Sequence, residues 1–132
     1  MFERATMLLL LTTALVMAGC SKDEPAVKAR ASPIRVGGVY ATPDKDGSWT
    51  IVRVLALDEH TVHLRSYTDR FAEQPKDVDL AKLKWFIGHM PLAREGFEKE
   101  RTLLIKVVPV ADEELEGYKL YLQAMNPGPP AR

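Results

Sequence analysis

Three histidines, His60, His63 and His89, are the side chains in this sequence best suited to chemistry near neutral pH. His60 and His63 are three apart and follow Asp58 and Glu59, residue types that ligate metals or carry protons. On a strand, however, residues at that spacing point to opposite faces, so a bend would be needed to bring both onto one ion. Polar side chains beside a turn are the better reading, and no metal is expected. His89 sits in Gly88-His89-Met90-Pro91, an irregular-looking segment in which an imidazole commonly holds a loop by bonding backbone groups. Nucleophilic catalysis asks for an activated Ser, Thr or Cys beside a base. Ser66 falls inside a strand-like run, and no G-x-S-x-G elbow is present. Gly37-Gly38 lacks the Gly-Lys-Ser/Thr that completes a phosphate loop. The acids gather in turns, in the polar N-terminal stretch and at a helix start, where each has a structural explanation. No enzyme, catalytic residue or cofactor is therefore expected.

The single cysteine, Cys20, excludes an internal disulfide framework and an all-cysteine zinc site. It follows an uncharged apolar run, Met7 to Met17 (MLLLLTTALVM), which itself follows Arg4 and the amino terminus. That is the layout of a secretory signal peptide. The run has 11 residues, whereas a membrane-spanning helix needs about 20. Met17-Ala18-Gly19-Cys20 resembles the lipobox of bacterial lipoproteins. The resemblance implies cleavage before Cys20, diacylglycerol on its thiol and usually a further acyl chain on the new amino group. Ser21 after the cysteine implies the outer membrane rather than the inner, with the domain facing the periplasm. Two or three acyl chains, at about 0.8 kcal/mol per buried methylene, hold a protein on one leaflet.

The elements that must position any site lie beyond a polar tether, SKDEPAVKARASP, and before a helix-breaking tail, NPGPPAR. The expected organisation is a signal peptide over 1–19, lipidated cysteine and tether over 20–33, one globular domain over 34–125 and a disordered tail over 126–132. Within the domain, 36–41 and 49–57 read as strands around the turn cluster TPDKDGS, whose Asp46-Gly47 is a strong hairpin signal. Residues 61–67 (TVHLRSY) alternate strictly, with Val62 and Leu64 on one face and His63, Arg65 and Tyr67 on the other. Such a meander has one buried and one wet face. Residues 78–87 read as a strand or a short helix, Gly88 to Pro91 as a break, and Pro91 as the first turn of a helix burying Leu92 and Phe97. Trp85-Phe86-Ile87 is expected in the core. Residues 103–110 are a strand, at an edge because of Pro109. Asp112 then starts a helix through Met125, whose stripe of Leu115, Tyr118, Leu122 and Met125 packs on the sheet. The fold class is α+β, a small twisted antiparallel sheet, either open or rolled into a partial barrel, covered by a C-terminal helix.

Gly88 to Leu92 with Phe97 five beyond, and Glu113 to Tyr118, are similar to motifs of a small bacterial domain family of uncharacterised role. The resemblance spans about 39–121 and implies no activity and no site.

Function then rests on surfaces. The chain has 18 basic and 18 acidic residues and a pI near 6.8; neither a phosphate backbone nor an anionic bilayer is an obvious partner, and no nucleic acid is expected. The wet strand face, with Arg53, His63, Arg65 and Tyr67 together, suits contact with a protein. The expectation is a non-enzymatic, lipid-anchored envelope protein that binds or inhibits a protein partner, an immunity-type protein against a toxin being the sharper form. The alternative is an envelope assembly or structural accessory lipoprotein, with a metal carrier or enzyme as the remote one.

Overall fold

A computed structural model describes residues 33–129 of the chain. The signal-like run, Cys20 and all of the tether except Pro33 lie outside the described residues, as do 130–132. Three β-branched runs form an antiparallel meander, β1 (Gly38–Pro43), β2 (Trp49–Leu57) and β3 (Thr61–Tyr67). The first hairpin turns where Asp46-Gly47 predicts: Gly47 adopts φ +84°, a left-handed conformation that a side chain would strain. Asp46 Oδ1 accepts from the Ser48 N–H at 2.9 Å and its hydroxyl at 2.6 Å.

Two further strands, β4 (Trp85–Ala93) beside β3 and β5 (Leu103–Val107) beside β1, complete an antiparallel sheet of order β4-β3-β2-β1-β5. The sheet is open and does not close into a barrel. A short helix α1 (Arg94–Lys99) follows β4, and a 3₁₀ turn (Asp112–Leu115) leads into the C-terminal helix α2 (Glu116–Met125). The α+β class and the covering helix are as expected, and β5 takes an edge.

Three local expectations are overturned. Gly88 to Pro91 does not break the chain but runs within β4, and α1 starts only at Arg94. An edge strand tolerates proline, because the missing N–H removes no internal ladder bond where it faces outward. Two register shifts against β3, flanking Ser66, absorb the irregularity. Secondly, Trp85 and Phe86 are not core: they stand 59% and 72% exposed at the start of that edge. Thirdly, α2 turns Gly117, Tyr118 and Tyr121 toward the sheet, while Leu122 and Met125 of the expected stripe face solvent. The reason is local, since at Gly117 the helix backbone comes so close to β4 that a Cβ there would stand 2.5 Å from His89 Cβ.

Both faces of the sheet are covered, so the expected wet face is absent. On one face Tyr40, Val54, Val62, Leu64 and Phe97 form an apolar cluster under α1. Tyr40 meets Phe97 edge-on at 5.3 Å, and its hydroxyl donates to the Pro33 carbonyl at 2.7 Å, tying down the chain's entry to the domain. The opposite face is split. At one end Val39, Ala41, Ile51 and Tyr67 pack with Val78, Leu80 and Leu83 of the connection between β3 and β4. Lys106 Nζ fastens that connection through Asp77 at 2.7 Å and through the Val78 carbonyl. At the other end Arg53 and His63, 4% and 0% exposed, lie beneath the 3₁₀ turn and α2.

Candidate functional site

Burying polar side chains costs free energy unless each finds a partner, and beneath α2 nearly all do. His63 Nε2 lies 2.7 Å from Asp58 Oδ2, and His63 Nδ1 lies 2.9 Å from His89 Nε2. An ionised carboxylate only accepts, so the bonding logic assigns the His63 proton to Nε2. His63 Nδ1 then accepts from His89 Nε2–H. The other Asp58 oxygen, Oδ1, accepts from the Tyr118 hydroxyl at 2.9 Å. A chain Tyr118–Asp58–His63–His89 thus links α2, the β2–β3 turn, β3 and β4. Tyr118 and Tyr121 close over the His63 ring with centroids at 4.5 and 5.0 Å.

Electrostatics follow from these contacts. Hydrogen bonds from His63, then from Tyr118, hold the Asp58 carboxyl below the usual aspartate value. The Tyr118 hydroxyl is raised, chiefly because it donates to that carboxylate. His89 is pushed down by burial first and by the neighbouring His63 second. Gly117 permits the approach: a Cβ there would stand 2.5 Å from His89 Cβ.

Beside the histidines is a second polar group. Glu114 Oε1 accepts from Arg53 Nη1 at 2.8 Å and from Arg65 Nη1 at 3.1 Å, while Oε2 accepts from the Ala111 N–H at 2.9 Å. Arg53 Nη2 donates to the carbonyls of Val108 and Pro109 at 3.1 and 2.7 Å. Its Nε has no hydrogen-bond partner among the described residues. The Arg65 guanidinium lies over the Trp85 ring at 5.4 Å. Between α2 and β4 a groove of about 300 Å³ is bordered by Arg65, Trp85, His89, Glu113, Glu116 and Leu120. No Ser, Thr or Cys lines it. His89 is the member of the histidine chain that reaches the groove, so any proton exchanged with a bound group would pass there.

Arg53, His63 and Arg65 are therefore brought together, but as buried or half-buried groups beneath α2 and not as an open patch. Tyr67 stands apart in the apolar cluster at the far end of the same face. His60 points away, its side chain 86% exposed. Among the described residues no group of three or more His, Cys, Asp or Glu is placed to hold a metal ion. The sequence reading missed Glu114, Tyr118 and Tyr121 as partners of these groups. One signal was there: two arginines on neighbouring strands, Arg53 of β2 opposite Arg65 of β3, call for an acid above them once that face is covered. No protein family, curated protein or solved structure matches this chain.

Proposed function

We propose that the chain is a non-enzymatic protein-binding module, held at the periplasmic side of a bacterial membrane by lipid on Cys20, with its recognition surface at the β4 edge. The observation that carries this is the composition and exposure of β4. Trp85–Ala93 (WFIGHMPLA) is an edge strand without a single Lys, Arg, Asp or Glu, and it begins with Trp85 and Phe86 in solvent. Edge strands ordinarily carry charge or are covered, because their free backbone groups and apolar side chains invite pairing. Leu120 of α2, 60% exposed and bordering the same groove as Trp85, adds to the apolar area. Large aromatics beside an arginine are the side chains that most often dominate protein interfaces. The Arg53 and His63 side chains drop out of the expected binding patch, whereas Arg65 remains at its margin beside Trp85.

Site-specific photo-crosslinking in living cells tests this. A crosslinker at Phe86 is expected to capture one discrete protein, lost on Trp85→Ala, while the same probe at exposed Glu98 captures none. Equal capture at both positions, or none at Phe86, contradicts the placement. Labelling with a palmitate analogue, abolished by Cys20→Ser, tests the anchor independently.

A further inference from the structure

We propose that His63 and His89 form an acid-sensitive latch, holding α2 on the sheet at neutral pH and releasing it when the pair must take up a second proton. The geometry carries this. The ring nitrogens His63 Nδ1 and His89 Nε2 face each other at 2.9 Å, and a gap of that length accommodates one hydrogen. With both rings neutral the bond is made, as it is when either ring alone is charged. With both charged, two N–H groups point at one another and the bond is lost. Asp58 supplies one negative charge, 2.7 Å from His63, so it offsets the first extra proton and leaves the second uncompensated.

The surroundings sharpen the effect. From the β2–β3 turn the pair meets Asp58 and from α2 the rings of Tyr118 and Tyr121. On the groove side stand Arg65 from β3, Glu113 and Glu114 from the 3₁₀ turn, and Glu116 from α2. Glu114 is already engaged by Arg53 and Arg65, and the Glu113 and Glu116 residues are exposed to solvent that screens them. The first turn of α2 lies against His89 through Gly117, and a helix start presents partial positive charge, which further disfavours a cation there. Burial already holds His89 below the usual histidine value. Because Tyr118 and Tyr121 lie directly over His63, the relief available to a doubly charged pair is for α2 to lift, which also dismantles the groove. This inference does not depend on the binding partner proposed above.

The test uses the full chain in detergent micelles and follows amide and imidazole resonances by NMR as pH falls from about 7 to about 5, across the ordinary histidine range. The Gly117, Tyr118 and Tyr121 amides are expected to shift together as the second proton arrives, while β1 and β2 amides stay put. As that proton arrives, the equilibrium constant for docking of α2 on the sheet falls by up to tenfold per pH unit, the slope of one proton taken up on release. His89→Gln keeps a donor for His63 Nδ1, and its amide can turn to accept when His63 is charged; it is expected to abolish both effects. His60→Gln is expected to leave both intact. Survival of the slope and the α2 shifts in His89→Gln overturns the latch. Should that variant fail to fold, the unsubstituted chain decides: both rings charged with α2 resonances unmoved overturns it, and a second proton arriving only with α2 movement upholds it.

Discussion

The two faces of the sheet are held in different ways. Under α1 the contacts are apolar: Tyr40, Val54, Val62, Leu64 and Phe97 interlock without an ionisable group that titrates near neutral pH. Under α2 the contacts are a carboxylate shared by two arginines and a histidine pair propped by an aspartate. Apolar burial is nearly indifferent to pH, whereas a buried polar joint is only as good as its least satisfied member. The apolar cluster under α1, with the one at the far end of the other face, therefore supplies stability, and the end under α2 supplies a helix whose attachment depends on conditions. The apolar side chains that α2 leaves in solvent, Leu120 and Met125, are on this conditional element.

The sharpest way to separate the faces is to damage each in turn. Phe97→Ala empties the space against Tyr40 and is expected to cost about 3–5 kcal/mol, with the loss equal at acid and neutral pH when read from denaturant midpoints. Glu114→Ala leaves Arg53 buried and uncompensated and is expected to cost about 3 kcal/mol. Adding Arg53→Met should recover much of that loss, because an apolar side chain of similar length needs no partner. The smallest effect belongs to Tyr118→Phe, which removes one hydrogen bond for about 1 kcal/mol.

Tyr118→Phe also probes pH dependence. Asp58 lies below its ordinary value in the folded chain, so its contribution is present above the unfolded aspartate range and is lost as pH falls through the lower folded value. Removing the Tyr118 hydroxyl should raise the Asp58 carboxyl and move that loss to higher pH, seen in a carboxyl ¹³C titration. Tyr118 itself is raised, so the neutral hydroxyl favours folding below about pH 10 and that support is lost as pH climbs through its folded value. The variant should lack this alkaline limb.

Legibility in the sequence followed the same division. The meander, the Asp46-Gly47 turn and the burial of Phe97 could be read because alternation, turn chemistry and a local apolar pattern each act over a few residues. β4 could not, since glycine, histidine and proline in succession look like a break until the strand is known to lie at an edge. The polar face was misplaced for a related reason. An alternating strand reports two unlike faces, but whether the polar one meets water depends on a 3₁₀ turn and helix far downstream: Arg53 and Glu114 are 61 apart in sequence and Asp58 and Tyr118 are 60 apart. The α2 stripe was misjudged because Gly117 passes for a weak helix residue, and its role as the contact point with His89 shows only in the packed structure.

Native-state hydrogen exchange on the full chain tests the unequal attachment of the two faces most directly. At neutral pH the amides of α2 are expected to exchange through an opening well below the global unfolding free energy, while those at Val54, Val62 and Leu64 exchange only through global unfolding. Equal opening free energies for α2 and the sheet would contradict a conditional helix and make the domain one cooperative unit.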